Sequence, residues 1–215
     1  MAKTTVYQGK ADIAKTLLAI GAVTLSPHQL YTWASGIKSP IYCDNRLILS
    51  SPIARTAIIQ AFENFARQDL SMAEGIAGTA TAGIPHAALV ADRLGLPMVY
   101  VRSSAKSHGK QNQVEGRVLD GQRLVVMEDT VSTGGSVLTA VEALREMGAI
   151  AHQVMSVFTY GFPTSVQAFQ EADVSLYTLT DYATLIGVAQ ESGLIKDAEA
   201  AMLQQFYQDP WSFGK

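Results

Sequence analysis

The sequence has 215 residues, of which 48% are apolar and 16% charged, a balance typical of a compact protein with one large core. Its 16 basic and 19 acidic residues give a net charge of −3, which argues against a nucleic-acid partner. A single cysteine, Cys43, excludes an intrachain disulfide and fits a reducing cytoplasm. No apolar stretch has the length and continuity of a signal peptide or a membrane span, so we expect no membrane partner.

The first quarter of the chain combines helical and irregular patterns. Ser51 can cap a helix whose first turn suits Pro52. The spacing predicts a helix over 11–20, short extended pieces at 22–25 and 41–43, and a helix from residue 52 with one apolar face of Ile53, Ala57, Ala61, Phe62 and Phe65.

From residue 75 onward, apolar strands alternate with amphipathic helices. Strands are predicted at 75–78, 97–102, 123–128, 152–160 and 174–179, and helices at 83–95, 136–148 and 164–172, with two more after Asp181 split near Ser192 and Gly193. This alternation favours an α/β fold, a parallel sheet covered by helices on both faces. Ligands of such sheets bind beyond the carboxyl ends of the strands.

The segment LVVMEDTVSTGGS, residues 124–136, has the strongest functional pattern. An apolar strand ends in Glu128 and Asp129, and a loop of glycines and hydroxyl residues leads into a helix. Backbone N–H groups of such a loop can bind a phosphate, whereas two carboxylates suit sugar hydroxyls or a cation. A phosphate beside a diol describes ribose 5-phosphate. The pattern TxxTGG alone would fit an ordinary turn, but the full strand–loop–helix context favours the phosphate site.

This segment resembles the motif that binds phosphoribosyl pyrophosphate (PRPP) in the type I phosphoribosyltransferases. The resemblance implies that Glu128 and Asp129 hold the ribose hydroxyls. Thr130 stands where the family usually has an aliphatic residue. The 5-phosphate would be held by Thr130, Val131, Ser132, Thr133, Gly134, Gly135 and Ser136.

A second small-residue loop, GTATAG at residues 78–83, joins a predicted strand to a helix. By itself it fits an ordinary tight turn equally well. In the family, a loop at this position contacts pyrophosphate, which implies roles for Thr79, Ala80 and Thr81. Some orotate enzymes have a lysine in this loop, and because this chain has Ala82 we expect mainly backbone contacts.

Residues 103–116 form a long polar connection between two predicted strands, and such connections are often lids. A solvated surface loop is the alternative. The order VRSSAKSHG resembles the catalytic loop of orotate phosphoribosyltransferases. It implies that Arg102, Lys106 and His108 are catalytic ligands of pyrophosphate, and that Lys110 could compensate for Ser103, which replaces a second basic residue found in some members.

The segment SGIKSPIYCDNR, residues 35–46, resembles the hood that covers the base in the same enzymes. The resemblance implies that Tyr42 and Cys43 contact orotate, with Thr133 from the phosphate loop, and that either Lys38 or Arg46 meets the orotate carboxylate. We expect Cys43 to line the pocket and not to act as a nucleophile, because no base partner is evident.

Together these resemblances predict one domain over 1–215, with a small hood mainly from about 1–48 and a type I phosphoribosyltransferase core from about 49–215. They imply transfer of ribose 5-phosphate from PRPP to orotate in pyrimidine biosynthesis, by a cytoplasmic homodimer with shared active sites. Mg²⁺ would be held mainly through PRPP, with Asp129 as a candidate ligand. One alternative is a purine phosphoribosyltransferase, which should lack the hood and lid motifs. Another is a non-catalytic PRPP-sensing regulator, expected to lose lid cations or to gain a DNA-binding extension.

Overall fold

A computed structural model describes residues 2–33, 36–70, 72–103 and 113–214. The strands are β1 (Thr4–Val6), β2 (Val23–Leu25), β3 (Tyr31–Thr32), β4 (Lys38–Ser39), β5 (Ile41–Cys43), β6 (Gly75–Thr79), β7 (Met98–Val101), β8 (Val114–Glu115), β9 (Arg123–Val131), β10 (Ile150–Thr159) and β11 (Ser175–Asp181). The helices are α1 (Lys10–Ala19), α2 (Leu47–Ser50), α3 (Pro52–Asp69), α4 (Gly83–Leu94), α5 (Gly135–Glu146), α6 (Pro163–Glu171), α7 (Tyr182–Glu191) and α8 (Asp197–Gln208).

The core is a seven-stranded sheet in the order β1-β11-β10-β9-β6-β7-β8, parallel except for the antiparallel edge strand β8. Alternating side chains of β9 enter two apolar layers. Val125 and Met127 join the larger layer with α1, α3, α4 and α7, whereas Leu124 and Val126 join the layer beneath α5 and α6. The expected α/β fold is therefore confirmed, and the carboxyl ends of the central strands meet at one edge of the sheet.

Only part of the N-terminal segment, which was expected to form the hood mainly from about 1–48, lies in the hood. Strand β1 pairs in parallel with β11, with Thr5 opposite Tyr177, and α1 packs against β11 and α7. These first two elements therefore belong to the core, where β1 covers an edge of the sheet that would otherwise have unpaired backbone groups. The hood itself consists of two antiparallel pairs, β2 with β5 and β3 with β4.

Helix α3 begins as predicted, because the Ser51 hydroxyl accepts a hydrogen bond from Ala54 N at 3.3 Å. Its buried face is partly different from the predicted one. Ile53 is 86% exposed and Ala57 is also exposed. The buried stripe instead runs through Ala54, Ile58, Ala61, Phe62 and Phe65, with the i, i+4, i+7 spacing of a helix that packs one side against the sheet. No helix in the described ranges is long and apolar enough to cross a membrane.

Candidate active site

Strand β9 extends three residues past its predicted end, so Glu128 and Asp129 lie inside the strand. Although successive strand residues point to opposite faces, the carboxyl groups of Glu128 and Asp129 stay close enough to interact. Glu128 is only 7% exposed, and its carboxylate accepts a hydrogen bond from the main-chain N–H of Asp129 at 3.0 Å. Burial, together with the negative charge of Asp129, raises the pKa of Glu128. Glu128 is therefore a buried acid, whereas the carboxylate of Asp129 is more accessible.

The loop after β9 leads directly into α5, as the motif predicts. Gly134 has a φ of +86°, and a Cβ there would lie 2.8 Å from the ring of Phe169, so glycine is required both conformationally and sterically. Within the described chain, no side chain caps the N-terminus of α5. Its first N–H groups and the exposed Thr133 and Ser136 are therefore available to an anion.

The second loop is tied to both neighbouring strands. Thr79 donates its hydroxyl to the main-chain oxygen of Met127 at 3.0 Å, and the N–H of Ala80 donates to the oxygen of Val101 at 2.8 Å. The peptide bond between Ala80 and Thr81 is cis. Because α4 begins at once after this loop, its N-terminus also points toward the carboxyl edge of the sheet.

A cavity of about 130 Å³ joins the three predicted phosphate-binding segments. Its lining includes Thr79 and Ala80 of the second loop, Arg102 at the start of the predicted lid, and Ser136 of α5. Arg102 also makes an ion pair with Glu115, Nη1 to Oε1 3.7 Å. A phosphate group in this cavity would meet the second loop, the first turn of α5 and Arg102. Lys106 and His108, also predicted here, lie outside the described residues, as does Lys110.

The two ends of the predicted lid are held together by β-type pairing. The N–H of Arg102 donates to the Gln113 oxygen at 2.9 Å, and the Gln113 side chain donates to the Arg102 oxygen at 2.7 Å. Strands β7 and β8 continue this pairing with Val101 opposite Val114. The connection that was predicted as a long loop is therefore flanked by a short antiparallel strand pair. The sequence did not reveal this pair, because β8 has only two residues.

A second cavity, about 400 Å³, lies between the hood and the phosphate loop. Tyr42 and Cys43 line it, as predicted for the base, beside Thr130 and Ser132. Thr133 is not among its lining residues. Sequence reasoning missed three further lining residues, Thr32, Trp33 and Tyr160.

Two of these missed residues form an aromatic wall. Trp33 and Tyr160 meet edge to face with ring centroids 5.1 Å apart, and Tyr160 stacks on Phe162 at 5.2 Å. Phe206 of α8 also packs edge to face against Trp33, with ring centroids 5.9 Å apart. The position of Tyr160 directly after β10, at the carboxyl edge of the sheet, was a signal that could have identified it.

The two candidates for the orotate carboxylate have different surroundings. The Lys38 ammonium donates to the Thr32 hydroxyl at 2.7 Å, next to the cavity. The Arg46 guanidinium instead binds both carboxylate oxygens of Asp44, at 2.6 and 2.9 Å. This bidentate pair lowers the pKa of Asp44 and already matches the charge of Arg46.

Cys43 has the properties of a packed thiol. Its sulfur lies 3.7 Å from the Thr130 hydroxyl, and burial raises its pKa to about 12, with the nearby carboxylates of Asp129 and Asp44 adding to the effect. The thiolate is the nucleophilic form of cysteine, and with this pKa Cys43 stays a neutral thiol at neutral pH. Cys43 therefore lines the cavity but does not act as a nucleophile.

A metal ion would find few protein ligands at this site. Across the ranges that the structure describes, no three His, Cys, Asp or Glu side chains converge as a metal cluster. Glu128 and Asp129 directly precede Thr130, which lines the base cavity, and Glu128 is largely buried. This donor set fits an ion such as Mg²⁺ only if a substrate and water supply most of its oxygen ligands.

Comparison with known proteins places these features in a family. A family model for the phosphoribosyl transferase domain matches residues 50–175. Orotate phosphoribosyltransferases from Bacillus pumilus and Enterococcus faecalis are 55% and 52% identical over 203 residues, which cover 94% of this chain and 96% and 97% of theirs. The crystal structure of the orotate phosphoribosyltransferase from Aeropyrum pernix superposes with a TM-score of 0.74 at 29% identity, over 86% of this chain and 99% of that one. The chain therefore belongs to the phosphoribosyltransferases and, among them, to the orotate phosphoribosyltransferases.

Proposed function

We propose that this protein displaces pyrophosphate from PRPP with a ring nitrogen of orotate, giving orotidine 5′-monophosphate in pyrimidine biosynthesis. The observation that carries this proposal is that the end of β9 contributes to both the base site and the ribose site. Thr130 lines the cavity beneath the hood, and the residue before it, Asp129, is one of the acids suited to ribose hydroxyls. A base in that cavity would thus lie next to the anomeric carbon of a ribose held by the acids.

Each part of PRPP has a matching group in this arrangement. The open N-terminus of α5 takes the 5-phosphate, and the carboxylates of Glu128 and Asp129 accept hydrogen bonds from the ribose hydroxyls. The pyrophosphate lies near the loop at residues 79–81 and the Arg102 guanidinium. With both substrates fixed in this way, the protein needs to supply no nucleophile, which agrees with the raised pKa of Cys43.

The leaving pyrophosphate gains negative charge as its bond to the anomeric carbon breaks. Arg102 lies where it can neutralise that charge, and we assign the same task to Lys106 and His108 of the lid. Both ends of the lid are anchored at the Arg102–Gln113 pairing, so its closure would exclude water from a PRPP that hydrolysis could otherwise consume.

We propose Mg²⁺ as the cofactor, with Asp129 as the protein group nearest to it. When bound, the ion would supply charge neutralisation on the oxygens of PRPP. The small number of carboxylates at the site supports a model in which the ion arrives with its substrate.

For the orotate carboxylate we favour Lys38 over Arg46. The ammonium of Lys38 is hydrogen-bonded to a neutral hydroxyl of Thr32, which lines the base cavity, whereas Arg46 is already paired with Asp44. Among the described residues Lys38 has no carboxylate partner, and such a cation gains more from a new carboxylate than one that is already paired.

We also propose a cytoplasmic homodimer with shared active sites. The argument for a dimer is a set of large apolar side chains on adjoining helices that the single chain leaves exposed. Ile53 of α3 is 86% exposed, Leu47 of α2 is 41% exposed and Leu89 of α4 is 37% exposed. Helix α3 contacts both α2 and α4, so these side chains stand on adjoining helices, and a second copy related by two-fold symmetry could cover them.

The proposed reaction is tested by incubating the protein with PRPP, Mg²⁺ and either orotate, adenine or hypoxanthine. We expect orotidine 5′-monophosphate from orotate and far slower turnover of both purines. Faster turnover of a purine would support the purine alternative instead. PRPP binding without turnover of any base would support the regulator.

A further inference from the structure

Asn45 is a buried residue that the mechanism above does not use. It follows β5 of the hood, is fully buried at 0% exposure, and its side-chain N–H groups donate to the main-chain oxygen of Asp129 at 3.0 Å and to the Thr130 hydroxyl at 2.9 Å. Its backbone is fixed as well, because the Asn45 oxygen accepts from Ile48 N at 3.1 Å in the first turn of α2. One amide thus links the hood to the end of β9.

The orientation of this amide follows from the chemistry of its partners. A main-chain oxygen can only accept hydrogen bonds, so the nitrogen of Asn45 has to face the oxygen of Asp129. The same nitrogen then donates to Thr130, which leaves the hydroxyl proton of Thr130 free for a different acceptor. The nearest strong acceptor is the Asp129 carboxylate, whose Oδ2 lies 3.4 Å from the Thr130 oxygen.

The result is a directed chain of hydrogen bonds from Asn45 through Thr130 to the Asp129 carboxylate. A hydroxyl that accepts a hydrogen bond becomes a better donor, so the amide strengthens the hold of Thr130 on the carboxylate. Thr130 also lines the base cavity beside Cys43. This chain of hydrogen bonds therefore connects the proposed PRPP site with the proposed base site, which the reaction must bring together.

We propose that Asn45 is a positioning residue that orients the ribose-binding carboxylate of Asp129 through Thr130, an inference that rests on the proposed function. Through this contact, PRPP binding is coupled to the base hood. An aliphatic residue at position 130 could not transmit this effect, because it has no hydroxyl. The presence of Thr130 at this position and the buried amide of Asn45 form one functional unit.

The decisive variant is Asn45→Asp, which changes the volume little but replaces the N–H donor by an acceptor. The Thr130 proton would then turn toward residue 45 and away from Asp129. We expect PRPP binding, measured by titration calorimetry with Mg²⁺, to weaken about tenfold, the size of roughly one hydrogen bond to a charged group. A matched control is Asn64→Asp on α3, where Asn64 accepts a hydrogen bond from Gln60 at 3.1 Å, and it should leave PRPP binding unchanged.

Thr130→Val supplies a second test because it removes the hydroxyl and keeps the shape. It should weaken PRPP binding to a similar extent, and the double variant with Asn45→Asp should be no worse than about the poorer single variant. If Asn45→Asp does not fold, Thr130→Val alone decides. Unchanged PRPP binding in a folded variant, or losses that multiply in the double variant, would overturn the proposal.

The calorimetric readout also separates this inference from the proposed reaction. Failure of the wild-type protein to convert orotate would count against the proposed function, while PRPP binding by the variants would still report on Asn45. In steady-state assays the positioning role predicts that KM for PRPP rises more than kcat falls. A purely structural role would instead lower the amount of folded enzyme, and KM would stay constant.

Discussion

The hydroxyl of Thr79 donates to the main-chain oxygen of Met127 at 3.0 Å, directly before the acidic pair of β9. This hydrogen bond fixes the second loop against the strand that bears Glu128 and Asp129, the carboxylates for which we propose ribose binding. The N-terminus of α4 packs tightly against the same two groups, because a Cβ on Gly83 would lie within 3 Å of both the Met127 oxygen and the Thr79 hydroxyl. Two of the predicted phosphate-binding segments are therefore joined by direct contact.

This crowding predicts that Gly83→Ala destabilises the protein, by about 1–3 kcal/mol in the free energy of unfolding, because a methyl group would be forced into a packed site. Gly187→Ala in α7 is the matched control, since nothing lies within 4 Å of its Cβ position. There the better helix propensity of alanine should stabilise by up to about 1 kcal/mol. Urea unfolding of both variants measures the difference, and equal stability of the two would contradict the packing argument.

The proposed role of Asp129 in PRPP binding predicts that its variant binds PRPP less well but folds normally. Asp129→Asn keeps the shape but weakens the acceptor for a ribose hydroxyl, which should raise KM for PRPP by the equivalent of about 1.5–3 kcal/mol. Asp173→Asn is the control, because Asp173 is remote from the site and its φ of 51° is one that asparagine tolerates. Unchanged kinetics in a folded Asp129→Asn protein would leave Asp129 without a role in PRPP binding.

A pH effect is expected from His86 on α4. This side chain is fully buried against Phe62, and neither ring nitrogen has a hydrogen-bond partner in the described part of the chain. Burial lowers the pKa of His86 below its ordinary value of 6.5. As the pH falls below that value, the unfolded chain takes up a proton that the folded protein does not, and stability is lost.

His86→Leu removes this proton uptake and also the buried polar group, so its stability should decrease less than that of the wild type between pH 7.5 and pH 5.5. His28→Gln is the control, because it removes an exposed imidazole and retains a donor for Glu199. Urea unfolding at the two pH values gives the comparison. Parallel losses in wild type and His86→Leu would show that His86 does not contribute.

The proposed dimer predicts complementation between two inactive variants, Lys106→Ala and Asp129→Ala. If each lid closes over the neighbouring subunit, a mixed dimer has one site with both defects and one site with neither. Subunit exchange should then restore up to about half of the wild-type activity per mixed dimer. Verified heterodimers as inactive as their parents would mean that each lid serves its own subunit.

A surface variant tests the dimer itself. Ile53→Glu places a charge among the exposed apolar side chains of α2, α3 and α4 and should shift the protein toward monomer in sedimentation experiments, since the proposed interface would have to bury an unpaired charge. Val166→Glu, on the exposed side of α6, is the control for adding a charge at an exposed apolar position. A monomeric wild-type protein would refute the dimer directly.

Local patterns in the sequence determined much of this protein. The alternation of strands and helices predicted the α/β core, and Ser51 with Pro52 predicted the start of α3, because capping and periodicity depend on neighbours in the chain. The run from Glu128 to Ser136 predicted a phosphate loop for the same reason: strand, acids, glycines and helix follow one another directly.

The tertiary structure decided what depends on contacts between distant parts of the chain. The pairing of β1 with β11, the aromatic wall of Trp33 and Tyr160, and the link from Asn45 to Asp129 each join residues more than 80 positions apart. Ile53 fits the helical period locally, yet the direction in which α3 packs leaves it in solvent. No local pattern encodes such partners, because they are selected by how the layers pack and by which buried polar groups find a hydrogen bond once the chain is folded.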